Sequence, residues 1–162
     1  MLLKGSCHCQ AVTFTVECSY PYPFNLCYCS ICRKTAGSGG YAINLGGQYD
    51  TLTVQGREHI QVYQAKSKNP QTGTITISPG ERSFCCHCGS ALWNWDPRWP
   101  ELVHPFASAI DTELPESPEQ THMMLEFKAS WVKIPASPHD QQFVGYPQES
   151  LSQWHERLGL IR

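Results

Sequence analysis

The chain has 162 residues, enough for one domain with a sizeable core. A hydrophobic fraction of 41% and a charged fraction of 16% exclude a disordered or fibrous chain. A net charge of −2 and a pI of about 6.4 give no general attraction to nucleic acid or an anionic membrane, so neither is the expected partner.

The first motif is Cys7-His8-Cys9. Residues 11–17 then alternate, and Val12, Phe14 and Val16 are expected to face a core. Cys18 reads as a small apolar residue near that core. Residues 19–23 carry two prolines and read as a turn or edge segment. The densest motif follows: Cys27-Tyr28-Cys29-Ser30-Ile31-Cys32 packs three thiols into six residues. Residues 33–40 hold Arg33, Lys34, Ser38 and three glycines, a flexible connection or a ligand contact. The Walker pattern of a phosphate loop is absent.

Short strands are expected over residues 41–45, 51–55, 60–64, 74–77, 91–95, 103–110 and 123–127. Gly46-Gly47 reads as a turn, residues 65–73 as a polar loop, and Pro79-Gly80 as the end of a strand. Residues 112–120 and 135–142 read as surface loops. The third cluster is Cys85-Cys86-His87-Cys88-Gly89. Strands at short spacing joined by Gly and Pro predict an all-β domain. One short helix is expected at the C-terminus, over residues 147–160. Pro147 suits a first helical position, and Leu151, Trp154, Leu158 and Ile161 fall at near-helical spacing.

Eight of the nine cysteines sit in the three clusters. Residues 1–6 lack an apolar run of signal length, and cysteines one or two apart are poorly placed to bridge each other. Metal-bound thiolates in a reducing compartment, the cytoplasm, are the expected state. No stretch approaches the ~20 apolar residues of a membrane span.

Structural zinc sites are closed by four protein ligands, and catalytic ones offer three and keep a position open. Cys7, Cys9, Cys85 and Cys88 make one complete four-thiolate set. Cys27, Cys29 and Cys32 then remain as a set of three. Counting alone does not force this division. Cys7 and Cys9 can equally join the middle cluster, and Cys86 can replace Cys85. The C-x-x-C-G run at Cys85 and Cys88 favours the first division, with Cys86 a bystander. His8 and His87 lie between cysteines, where a side chain usually points away from the metal. The other five histidines lack paired ligand spacing, and Trp93 and Trp95 read as core or pocket wall.

Gly5-Ser6-Cys7-His8-Cys9 with Val12 and Phe14, Cys27-x-Cys29-x-x-Cys32-Arg33-Lys34 with Gly37-Ser38, and Phe84-Cys85-x-x-Cys88-Gly89-Ser90 together resemble the glutathione-dependent formaldehyde-activating (Gfa) family. That family also contains centromere protein V. The resemblance covers roughly residues 4–134 and makes residues 1–134 the zinc-binding β domain, with 135–162 as a C-terminal extension. It implies a β-tent fold and two zinc ions. It implies a structural site at Cys7, Cys9, Cys85 and Cys88, and a catalytic site at Cys27, Cys29 and Cys32. The implied activity is carbon–sulfur lyase chemistry that joins formaldehyde and glutathione, reversibly, to give S-hydroxymethylglutathione. Arg33 and Lys34 are then the candidates to meet a glutathione carboxylate, and Ser38 to offer a hydrogen bond. Tyr28 stands where the family often has His. An enzyme for a different small metabolite and a non-catalytic zinc-stabilised interaction module are the alternative readings.

Overall fold

A computed structural model describes residues 1–69, 71–135 and 137–160. The first sheet is antiparallel and has the order β1-β2-β6. Its strands are β1 (Leu2–Ser6), β2 (Thr13–Glu17) and β6 (Thr53–Gln55). Alternation in β2 does what its pattern predicts: Val12, Phe14 and Val16 are all buried, while Thr13 and Thr15 are half-buried. Strand β1 pairs with β2 from Leu2↔Glu17 to Ser6↔Thr13, so the Cys7 turn leaves the sheet at a fixed point.

The second sheet is the largest, with antiparallel order β5-β10-β9-β8-β7. Its strands are β5 (Gly47–Gln48), β7 (Ile60–Lys68), β8 (Ile75–Cys85), β9 (Ala91–Trp95) and β10 (Leu102–Pro105). The hairpin of β7 and β8 is longer than the sequence predicts. Residues 65–68, expected in a loop, continue β7, and β8 runs through Pro79-Gly80 instead of ending there. The pairing explains how. Gln64 faces Glu81 and Lys66 faces Ile77, so Ser78, Pro79 and Gly80 oppose Ala65 alone. A bulge of this kind absorbs a proline that could not donate to a regular ladder. Pro70, in the loop beyond, lies outside the described residues.

The third sheet has the order β12-β11-β3-β4, from β3 (Asn25–Cys27), β4 (Ala42–Ile43), β11 (Thr121–Met123) and β12 (Gln141–Gln142). Strand β11 runs parallel to both β3 and β12. The predicted strands over residues 103–110 and 123–127 are shorter than expected. Single turns of 3₁₀ helix, Ala107–Ala109 and Leu125–Phe127, take over their second halves. Another 3₁₀ turn, Tyr49–Thr51, precedes β6. Gly47, expected in a turn, is in β5.

Among the described residues, two α-helices join an otherwise all-β architecture. Helix α1 (Ser30–Thr35) grows directly out of the middle cysteine cluster and was not expected from the sequence. Helix α2 (Leu151–Arg157) is shorter than the predicted 147–160. Ser150 sets its start, not Pro147. The Ser150 hydroxyl accepts from the Gln153 amide at 3.2 Å, and the Gln153 side chain accepts from the Ser150 amide at 2.8 Å. This reciprocal cap satisfies two of the otherwise orphan amides of the first turn. Trp154 of α2 is buried and stacks on Phe24 at 3.6 Å, and its ring N–H donates to Glu119 at 3.1 Å. Ile161, expected on the same face, lies outside the described residues, as does Ala136 in the loop before β12.

The main core joins the first two sheets through Leu3, Phe14, Val16, Leu92, Trp93 and Val103. Cys7 and Cys85 are part of it, and so is Cys18, whose thiol donates to the Gly46 carbonyl at 2.9 Å. A smaller cluster holds Cys27 and Cys32 with Ala42, Phe106 and Met123. Each cysteine group thus rests on its own packed floor. Among the described residues, no helix is long and apolar enough to cross a membrane.

Candidate metal centres and the adjoining cleft

Four sulfurs from distant parts of the chain converge. The Sγ atoms of Cys7, Cys9, Cys85 and Cys88 all lie within 4.8 Å of one another. Cys7 and Cys9 are 3.6 Å apart, and Cys9 and Cys85 are 3.8 Å apart. Four thiolates held tetrahedrally at about 2.3 Å from a zinc ion would stand about 3.8 Å apart, so this set fits the metal. Two tight turns make it. In the first, Gln10 adopts a left-handed φ of 62°, and its amide donates to the Cys7 carbonyl at 3.0 Å. In the second, Gly89 takes φ 74°, and its amide donates to the Cys85 carbonyl at 2.9 Å. Glycine takes that conformation without a Cβ penalty.

Backbone and hydroxyl donors surround these sulfurs. The Val12 amide donates to Cys7 Sγ at 3.3 Å, and Ser90 Oγ lies 3.2 Å from Cys88 Sγ. The Ser90 hydroxyl and then its backbone amide bring the Cys88 thiol down to about 5, favouring the thiolate a metal needs. His8 and His87 stay out of the set. The His8 amide donates to Ser90 Oγ at 3.1 Å, and the His87 ring turns to His59.

The middle cluster is built differently. Cys27 ends β3, Cys29 caps α1, and Cys32 sits in the first turn of α1. The three Sγ atoms lie within 4.8 Å of one another, with Cys27 and Cys32 buried and Cys29 half-buried. Helix α1 explains this closeness: Cys29 Sγ accepts from the Cys32 amide at 3.3 Å, as an N-cap side chain does. The protons of the three thiols are unequally held. Hydrogen bonding from Cys27, then Cys32, brings Cys29 down to about 2, while its hydrogen bond with Cys29 drives Cys27 upward. Among the described residues no fourth His, Cys, Asp or Glu completes the set. Three thiolates can hold a zinc ion and leave one position free.

Arg82 of β8 reaches this cluster, a residue that no motif singles out. Its Nη2 lies 3.8 Å from Cys32 Sγ, while its buried Nη1 has no hydrogen-bond partner among the described residues. Only the tertiary register of the β7–β8–β9 ribbon brings it there, so spacing within the chain carried no signal.

Arg33, Lys34 and Ser38 line one cleft of about 650 Å³ with Ser90 and Asp111, between the first cysteine turn and the far end of α1. Arg33 Nε is buried and without a hydrogen-bond partner among the described residues. The glycine run beside them is not a loose connection. A Cβ at Gly37 would collide with the Tyr41 carbonyl oxygen, so only glycine allows this close turn at the cleft wall. Tyr28, between two of the middle thiols, faces away from them. It packs with Leu26 and Val132, and its hydroxyl lies 2.8 Å from His122 Nδ1.

The profile of the family described as "GFA: Glutathione-dependent formaldehyde-activating enzyme" matches residues 2–126. This chain belongs to the Gfa family. A protein of Halomonas elongata named "Putative glutathione-dependent formaldehyde-activating enzyme" is 62% identical over 160 residues, spanning 99% of this chain and 98% of that one. The crystal structure of a Rhodobacter sphaeroides protein is also similar, with a TM-score of 0.51 and 26% identity. That match covers 70% of this chain and 99% of the other. The family's name indicates an enzyme that acts on glutathione and formaldehyde. In this Gfa chain, two groups of cysteines have the geometry to hold metal ions.

Proposed function

We propose that this chain is a zinc-dependent carbon–sulfur lyase that forms and cleaves S-hydroxymethylglutathione. One observation carries the reading: Cys27, Cys29 and Cys32 form a three-thiol set with no fourth ligand among the described residues, on the helix that presents Arg33 and Lys34 to the cleft. The proposed structural zinc has Cys7, Cys9, Cys85 and Cys88 as ligands, and the proposed catalytic zinc has Cys27, Cys29 and Cys32, two ions per chain. When bound by three thiolates, zinc supplies an open position where a substrate thiol, ordinarily near pKa 8.5, is held as thiolate.

The chain's own residues hold the substrate. Glutathione carries two carboxylates and one ammonium. Arg33 and Lys34 offer the cleft two cations, and Asp111 one anion. Arg33 Nε has its hydrogen-bonding capacity free for a carboxylate. Ser38 Oγ is a further donor. Arg82 positions the Cys32 sulfur and counters its charge. In the forward direction the sulfur forms a bond to the formaldehyde carbon, the C=O π pair moves to oxygen, and the proton lost from sulfur is regained there. The reverse breaks the same C–S bond.

In this proposal residues 1–134 are the zinc-binding unit and 135–162 its extension, and nine free thiols favour a reducing compartment, the cytoplasm. Magnetisation-exchange NMR with formaldehyde and glutathione at equilibrium tests the activity. Faster exchange between free and hydroxymethylated glutathione is expected. Exchange at the buffer rate, with two zinc ions bound, would turn the reading to another metabolite or to a non-catalytic module.

A further inference from the structure

A third cluster of ligating atoms lies outside both thiol sites. His59, Cys86 and His87 each place one ligand atom within 4.8 Å of the other two. The strand register makes the meeting obligatory. Ile60 pairs with Cys85 across β7 and β8, so the residue before one faces the residue after the other. The Cys86 amide donates to the His59 carbonyl at 2.8 Å and locks that position. His59 ends a 3₁₀ turn, Arg57–His59, that starts from Gly56 at φ 74°. His87 follows Cys86 in the turn toward Cys88, and its Nε2 lies 2.9 Å from His59 Nδ1.

We propose that His59, Cys86 and His87 form a third metal site, for an exchangeable borderline cation such as Zn²⁺. Imidazole and thiolate together suit that class of ion, and hard cations such as Mg²⁺ or Ca²⁺ prefer oxygen. Glu58 Oε1 lies 3.5 Å from His59 Nε2, while Nδ1 is the ring nitrogen that faces His87. A carboxylate behind a ligating imidazole is the usual outer partner of a metal-bound histidine. Tetrahedral ligands about 2.0 Å from zinc stand about 3.3 Å apart. The two ring nitrogens need to separate by only a few tenths of an ångström, and His87 is exposed and His59 partly so. Binding releases the Cys86 thiol proton and breaks the His59–His87 hydrogen bond. Water fills the fourth position. Because Cys86 and His87 are exposed and the set holds a single thiol, this ion should exchange faster than those held by three or four thiols.

The test titrates Zn²⁺ into intact protein whose thiol sites are already filled. Metal per chain is measured by elemental analysis, Cys86 alkylation by mass spectrometry, and the seven histidines by imidazole NMR. A third equivalent is expected, shifting only the His59 and His87 resonances and slowing Cys86 alkylation at least tenfold. His59→Ala and His87→Ala should each bind one ion fewer and keep the parental melting temperature. Unchanged resonances with unchanged Cys86 reactivity would overturn the site. So would a third equivalent that persists in both histidine variants, or one that appears only with dimerisation. The histidine signals report this site even if the chain proves to carry no zinc on Cys27, Cys29 and Cys32, so the two readings fail separately.

Discussion

The Tyr28 hydroxyl and His122 Nδ1 meet at 2.8 Å, with both residues almost fully buried. On the far side of the ring, Asp140 Oδ2 lies 3.6 Å from His122 Nε2. Desolvation, then the charges of Tyr41 and Asp140, push the Tyr28 phenol up to about 12, so at neutral pH it keeps the proton that it can offer to the ring nitrogen. The residue between two candidate zinc ligands therefore faces a polar chain under β11, and not the thiols. Tyr28→Phe should strand a buried imidazole nitrogen, at a cost of about 1–3 kcal/mol. A chain of this size loses about 2–4 °C of melting temperature per kcal/mol. Zinc content and substrate preference should not change. A variant of normal stability with altered substrate preference would show that Tyr28 acts on the chemistry after all.

The two thiol sites should fail differently. Cys88 belongs to a set that ties residue 7 to residue 88, with Cys7 and Cys85 inside the main core. Structural zinc supplies on the order of 10 kcal/mol in small metal-dependent peptides, against a whole-domain stability of ~5–15 kcal/mol. Cys88→Ser should therefore damage the fold. Cys32→Ser removes a ligand from a cluster whose members span six residues, so less chain is pinned. Its β-domain should survive while turnover collapses. Thermal melts, zinc content and turnover on both variants make the comparison. Equal unfolding would make the middle cluster structural as well.

Arg82 should reveal itself in kinetics before stability. Its Nη2 lies 3.8 Å from Cys32 Sγ, and its Nη1 is buried with no hydrogen-bond partner among the described residues. A hydrogen bond to a charged group contributes about 1.5–3 kcal/mol, or roughly 10–100-fold in rate. Arg82→Gln should lower kcat/KM by that factor, with zinc content kept. Arg82→Lys should recover only part, because one ammonium cannot reproduce the fork. Loss of zinc from Arg82→Gln at unchanged kcat per bound metal would reduce Arg82 to a structural prop.

The thiol sites were legible because ligand spacing is a local property: a C-x-x-C run constrains its own sulfurs wherever the sheet lies. Their division into four and three agrees with the convergence of the sulfurs, although counting left other pairings open. Arg33, Lys34 and Ser38 follow the cluster directly in sequence, and the structure puts them on one cleft. Helix α1 was missed because six residues, three of them in a cysteine cluster, give too little periodicity to show a helix. The β8 strand was cut short at Pro79-Gly80 because propensity cannot foresee a bulge that its partner tolerates. Arg82 and His59 carried no signal in the sequence, and Cys86 read as a bystander of the third cluster, because only strand register brings each to its neighbours.

Acid should weaken the packing of α2 through His155. This side chain is buried among Tyr20, Phe24 and Trp154, and its Nδ1–H donates to the Leu151 carbonyl at 2.6 Å. Its Nε2 is buried without a partner among the described residues. Burial lowers its pKa below the ordinary 6.5. With the folded value depressed, the unfolded chain binds the proton first as pH falls. The neutral ring's contribution is thus fully present above about pH 6.5 and is lost below it. His155→Phe keeps an aromatic ring but has no proton to gain. Urea unfolding of both proteins from pH 5 to 8 isolates the effect, because His104 and the thiols titrate equally in each. The stability advantage of the parent over the variant should be constant above pH 6.5 and shrink below it. An advantage independent of pH would mean that His155 is solvated or paired in the native state, and that α2 docks more loosely on Phe24 than the stacked Trp154 indicates.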